Sequence, residues 1–173
     1  MNFLEKDLED IIFNTDNEKL RARGLRIYGQ KLRQVNLGSY GIADLITVKT
    51  VLLNQEWHEE KGHKLVVTIY ELKKDSIGFL AFGQLCRYKT AIERMLDNYN
   101  MYDYFVDYEI NMVLIGKDIE QKNDFCYLVN NTEFLKTYTY SYGIDGLEFK
   151  QTFGWHMNGE VLKKIGKFNQ SIF

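Results

Sequence analysis

The sequence predicts an α/β protein with one central mixed β-sheet flanked by helices, in the order α-βββ-α-β-α-ββ. Three observations predict it. Apolar residues recur at period 2 in some stretches and at period 3.6 in others, and the two kinds alternate along the chain. The stretch Lys64 to Lys73 is apolar on both faces, as a central buried strand must be. Finally, 173 residues with 45% apolar and 27% charged content supply one domain's core and leave no room for wholesale disorder. The predicted domain covers residues 1–155, and residues 156–173 form a C-terminal tail.

The elements follow in order. Leu4, Leu8, Ile11 and Ile12 share one helical face, so residues 3–13 read as a helix, with Asn2 as its N-cap. Residues 25–35, opened by Leu25, Ile27 and Tyr28 after Gly24, read as a strand. The turn Gly38-Ser39-Tyr40-Gly41 leads into a strand from Ile42 to Leu53. Polar residues Asn54 to His63 make the turn of a hairpin whose second arm is Lys64 to Lys73. From Ile77 to Tyr99 the period is 3.6, giving the longest helix. Asp107 to Ile115 is a strand, Gln121 to Asn130 a short helix, and Thr137 to Tyr142 and Leu147 to Thr152 two strands joined at Gly143-Ile144-Asp145-Gly146. Glu160 to Phe173 begins as helix and then frays.

Charge is unevenly placed although the net is only −2. Residues 1–18 carry six acids and one base, and residues 19–33 carry six bases and no acid. Four of the six arginines lie in that basic stretch. Such an arrangement fits either a charge site beside a phosphate-binding surface or two solvated faces that pair with each other. Cys86 and Cys126, in apolar surroundings, make neither a disulfide framework nor a zinc site, which points to a reducing, cytoplasmic setting. No apolar run is long enough to span a membrane, and Met1 to Asp10 does not read as a signal peptide, so no membrane partner is expected.

Three polar intrusions into apolar elements carry the chemistry. Glu71 and Lys73 alternate onto one face at the carboxyl end of the buried strand, where open α/β sheets place ligands. A structural ion pair at the sheet edge would read the same way. Asp44 leads into the preceding strand, and hairpin pairing brings it near Glu71. Two carboxylates in a partly buried place repel and stay ionised with a cation between them, whereas Asp44 alone reads as a turn cap. Gln84 falls within the apolar stripe of the long helix, one turn before Tyr88, and a buried amide needs a polar partner, whereas a partly exposed glutamine at the stripe's margin would read the same way.

Asp44, then Glu71-Leu72-Lys73, then Gln84-Leu85-Cys86-Arg87-Tyr88 together resemble the PD-(D/E)XK nuclease superfamily, and the QxxxY resembles its RecB-type branch. Ala43 stands where that family usually has proline, and the 27 residues from Asp44 to Glu71 imply an extended hairpin. Glu9 is similar to the family's first-helix glutamate, with Glu5, one turn earlier, as its rival. The order of motifs is most similar to the nuclease domain of archaeal and actinobacterial endonucleases acting at mismatches and flaps, over roughly residues 3–152. Those relatives carry a separate N-terminal DNA-binding domain that this sequence is not expected to contain, so their substrate preference is not carried over.

The resemblance implies a restriction-endonuclease-like core and a Mg²⁺-dependent deoxyribonuclease, with Mn²⁺ as a substitute. It implies Glu9, Asp44, Glu71 and the Leu72 carbonyl as metal ligands, Lys73 as the residue that orients water, and Gln84 and Tyr88 as its supports. Arg21, Arg23, Arg26, Lys31 and Arg33 would hold phosphates, and Trp57 with His58 at the hairpin tip would either stack on a base or form a simple turn with one exposed aromatic. DNA is the expected partner, with RNA and a homodimer left open. The alternative is a catalytically silent nuclease fold that binds nucleic acid or regulates a partner, of the kind a phage encodes. Ile172-Phe173, an apolar pair at the chain end, is expected to dock on the domain itself; the alternative is a partner peptide, since Gln170-Ser171-Ile172-Phe173 resembles a sliding-clamp-binding peptide one residue short.

Overall fold

Leu4 caps the first helix, its N–H donating to the Asp7 carboxylate at 2.8 Å. The sequence reading placed that cap at Asn2, outside the residues described. In this computed structural model those are 3–53, 62–98, 105, 107–120, 124–144 and 146–153. The first helix, α1 (Glu5–Asn14), buries Leu8, Glu9 and Ile12. A short second helix, α2 (Asn17–Ala22), follows it. The predicted strand over 25–35 begins later, as β1 (Gln30–Asn36). Leu25 and Ile27 are nevertheless fully buried, because the chain between α2 and β1 lies across the sheet and plugs its core without joining its ladder.

A 3₁₀ turn, Gly38–Tyr40, leads to β2 (Ile42–Leu53), which pairs antiparallel with both β1 and β3 (Gly62–Leu72). The hairpin tip with Trp57 and His58 lies outside the described residues. After β3 come the two-residue β4 (Ser76–Ile77) and the long helix α3 (Phe79–Asn98). Then follow β5 (Asp107–Gly116), β6 (Asp118–Ile119), α4 (Phe125–Asn131), β7 (Leu135–Gly143) and β8 (Gly146–Phe153). The protein is α+β: one six-stranded mixed sheet, ordered β1-β2-β3-β5-β7-β8, flanked by helices, plus a small β4–β6 pair. β3 and β5, and β5 and β7, run parallel, because helical crossovers join them.

The sheet separates two apolar layers. On one side Leu65, Val67 and Ile69 of β3 pack with Leu85, Tyr88 and Ile92 of α3. On the other, Tyr70 and Leu72 pack with Leu8 and Ile12 of α1 and Leu20 of α2. β3 is covered on both faces, as its two-sided apolar pattern requires. Among the described residues no helix is long and apolar enough to cross a membrane. Residues 154–173, which include the expected tail 156–173, lie outside the described residues, and with them the docking and clamp-peptide expectations.

Candidate functional site

Three strands and α1 bring the site together. The β2–β3 register pairs Leu45 with Tyr70, so one step further along the ladder sets Asp44 across from Glu71. The connection is direct: the Leu72 N–H donates to Asp44 Oδ2 at 2.9 Å. Lys73 Nζ donates to Glu71 Oε1 at 2.6 Å and lies 3.6 Å from Glu5 Oε1. Glu71 is only 1% exposed, and its second oxygen, Oε2, has no hydrogen-bond partner.

An unpartnered carboxylate oxygen in such a place is costly as an anion. Burial pushes the Glu71 carboxyl up to about 7, the Asp44 charge adds to the push, and Lys73 opposes it. Burial likewise raises Asp44 to about 6, against the Leu72 N–H and Lys73, while Glu5 and Glu9 add repulsion. Burial pulls Lys73 down, but its hydrogen bond to Glu71 and the charges of Glu71, Glu5 and Asp44 carry it above its ordinary value. Lys73 is therefore a fixed cation and a proton donor, unsuited to act as a base near neutrality.

The predicted ligand Glu9 is otherwise engaged. It is 5% exposed, with Oε1 accepting from Arg33 Nε at 2.8 Å and Oε2 from Gln34 Nε2 at 2.5 Å. Glu5, one helical turn earlier, is the first-helix acid that pairs with Lys73. Among the described residues no three His, Cys, Asp or Glu side chains gather closely enough to cage a metal. The donor set of Asp44, Glu71 and the nearby main-chain carbonyl of Leu72 is all oxygen and includes one orphaned buried oxygen. That set fits a hard divalent cation whose shell is completed by water.

Gln84 is half-buried and shares no hydrogen bond with Glu71 or Lys73, so the support expected of it is not made in this conformation. Tyr88 is buried in the core, and its ring lies on Gly41, whose φ of +107° no side chain adopts easily. A Cβ at Gly41 would come within 3.3 Å of that ring. Tyr88 thus supports the entry to β2, three residues before Asp44, and makes no hydrogen bond to Lys73.

The basic stretch is spent largely within the fold. Lys31 Nζ donates to the Ile12 and Thr15 carbonyls at 3.0 and 2.5 Å, closing the C-terminal end of α1. Arg33 also pairs with Asp10 at 2.8 Å and stacks on Phe13. Arg21 donates to the Ile27 carbonyl at 3.2 Å and lies over the Tyr28 ring. The Arg23 guanidinium lies against Gly146, while Arg26 is exposed. Of the two readings of the acidic and basic stretches, mutual pairing describes Arg33 with Glu9 and Asp10. Sequence reasoning missed Gln34, whose role comes only from the β1 register and carries no motif.

Comparison of the chain with protein-family models, with curated proteins and with solved structures finds no match, so its likeness to a nuclease family rests on the residues named above.

Proposed function

We propose that the protein is a metal-dependent nuclease that hydrolyses phosphodiester bonds in DNA. The observation that carries this reading is the buried, unpartnered Oε2 of Glu71 beside Asp44 and Lys73. Two raised carboxyls and a fixed ammonium are an unfavourable arrangement for stability alone, and perturbed groups of this kind cluster where chemistry is done. Asp44, Glu71 and the Leu72 carbonyl would hold Mg²⁺ or Mn²⁺, which would supply Lewis-acid polarisation of the scissile phosphate and a more acidic water. The Leu72 N–H holds one oxygen of Asp44 and so sets the orientation of that carboxylate. Lys73 holds its proton and donates toward the phosphate oxygens, offsetting the charge that grows there during attack. Glu5 keeps Lys73 protonated from the α1 side.

A second reading, a nucleic-acid-binding fold without catalysis, is favoured by Glu9, both of whose oxygens are already satisfied by Arg33 and Gln34. One experiment separates the two. Purified protein is incubated with labelled single-stranded, duplex and flapped DNA and with RNA, in Mg²⁺, Mn²⁺, Ca²⁺ or EDTA. Cleavage in Mg²⁺ or Mn²⁺ that EDTA stops and Asp44→Asn abolishes supports the nuclease. Binding without cleavage of any substrate selects the second reading.

A further inference from the structure

We infer that the outer face of α3 carrying Arg87 and Arg94 is the track along which a nucleic-acid strand lays its phosphates on the way to Asp44, Glu71 and Lys73. The inference rests on the nucleic-acid reading for the class of its partner. It assigns the contacts to a different surface from the 19–33 stretch that the sequence suggested.

Both arginines are exposed, and they stand seven residues apart on one helix. That is two turns, about 10 Å along one face. Each is held against a tyrosine. The Arg87 guanidinium lies 5.6 Å from the Tyr88 ring centre and over Gly41. Arg94 lies 5.8 Å from the Tyr40 ring centre, and its Nη1 donates to the Tyr40 hydroxyl at 2.5 Å. Among the described residues neither arginine forms an ion pair. The nearby acids of α3 are engaged elsewhere: Glu93 accepts from Lys89 at 2.6 Å, and Asp97 accepts from the Tyr108 hydroxyl at 3.2 Å.

This differs from the fate of Arg33, which is paired with two carboxylates. A guanidinium stacked on an aromatic ring keeps donors facing outward, with less side-chain freedom to lose when an anion arrives. The track also leads to the site. Arg87 lies over Gly41, and Gly41 is three residues from Asp44, at most about 10 Å of extended chain. A spacing of about 10 Å between the arginines matches about three phosphates at the 3.4 Å axial rise of one strand. Contacts of this kind position a backbone and read no bases.

The test is binding of a fluorescent single-stranded oligonucleotide in EDTA over a range of salt, for the wild type, Arg87→Ala, Arg94→Ala, the double variant and Arg26→Ala. Melting temperatures accompany each variant as a check on folding. The double variant is expected to bind at least about tenfold more weakly near 0.1 M salt. The slope of log affinity against log salt should become shallower by about 1.4, two phosphates' worth for a single strand. Arg26→Ala, at the exposed arginine of the 19–33 stretch, compares the two surfaces: a loss there that matches or exceeds that of the double variant overturns the inference. A folded double variant that binds like the wild type overturns the inference, as does a wild type that binds no nucleic acid. Cleavage in Mg²⁺ is read separately. Binding that depends on Arg87 and Arg94 without cleavage keeps the track and removes the nuclease, and cleavage with unaltered binding does the reverse.

Discussion

Gln34 donates its side-chain amide to Glu9 from a left-handed backbone, with φ at +48°. It does so at the step of the β1–β2 ladder opposite Asp44, where pairing is skipped between Arg33–Leu45 and Val35–Ala43. A non-glycine residue held in that conformation costs free energy, and such positions gather at functional sites. The strand is bent locally so that an amide on β1 reaches a carboxylate on α1.

This relationship predicts an order of stability. Gln34→Ala keeps the left-handed strain and leaves Glu9 Oε2 unsatisfied, at a cost of about 1–3 kcal/mol. Gln34→Gly loses the same bond but relieves strain of about 1–2 kcal/mol, against a glycine entropy cost of about 0.4–1 kcal/mol. The glycine variant should therefore be the more stable of the two by roughly 0.5–1 kcal/mol in urea titrations. The opposite order would show that the backbone at Gln34 is unstrained.

Glu5 and Glu9 should behave differently when neutralised. Glu9→Gln removes the buried charge that Arg33 and Gln34 serve, and should cost about 1–3 kcal/mol. Glu5→Gln, at a more exposed position, should change stability by less than about 0.5 kcal/mol. If Glu5 serves the site, cleavage falls in Glu5→Gln although stability holds. Unchanged cleavage would confine Glu5 to the helix surface.

The raised carboxyls set a pH dependence. Asp44 moves from an ordinary 3.8 to about 6, and Glu71 from 4.5 to about 7. Both are raised, so the folded state holds protons that the unfolded chain releases. Their contribution is complete below about pH 4 and is lost as pH rises through about 6 and 7, a few kcal/mol at most. In EDTA the melting temperature should fall between pH 5 and 8, and Asp44→Asn should flatten that fall. Mg²⁺ added at pH 8 should raise the melting temperature by occupying the ionised pair. A melting temperature flat across this range would show that the two carboxyls titrate normally.

Catalysis gives the sharpest contrast. Asp44→Asn and Lys73→Ala should each abolish cleavage and still unfold cooperatively, with Asp44→Asn more stable than the wild type when metal is absent. Gln84→Ala is expected to lose less than about tenfold, since Gln84 makes no hydrogen bond to Glu71 or Lys73. Full activity in either of the first two would remove the nuclease reading. A loss above a hundredfold at Gln84 would show that the helix repositions in the working state.

The sequence made the sheet legible where burial leaves a period. β2 runs from Ile42 to Leu53 as expected, and β3 carries Leu65, Val67 and Ile69 on one face and Tyr70 and Leu72 on the other. α2 left no such trace, because only Leu20 of its six residues is buried. Leu25 and Ile27 looked like strand because burial alone selects apolar residues, with or without a ladder. The meeting of Asp44 with Glu71 and Lys73 followed from hairpin register. The partners of Glu9 did not, because they lie on β1, 24 and 25 residues away, and no local pattern encodes a contact across the fold.

The connectivity of the sheet predicts an order of assembly. β1, β2 and β3 are joined in sequence by antiparallel pairing, as are β7 and β8, whereas β5 must be inserted between β3 and β7 by two crossovers. Closing those crossovers costs chain entropy before any parallel pair rewards it, so they close late. Glu5, Glu9, Gln34, Asp44, Glu71 and Lys73 all fall within residues 5–73, ahead of both crossovers. Asp44 and Glu71, joined by the β2–β3 pairing, are therefore expected to meet before the crossovers close, and β5 and the helices to complete their burial afterwards.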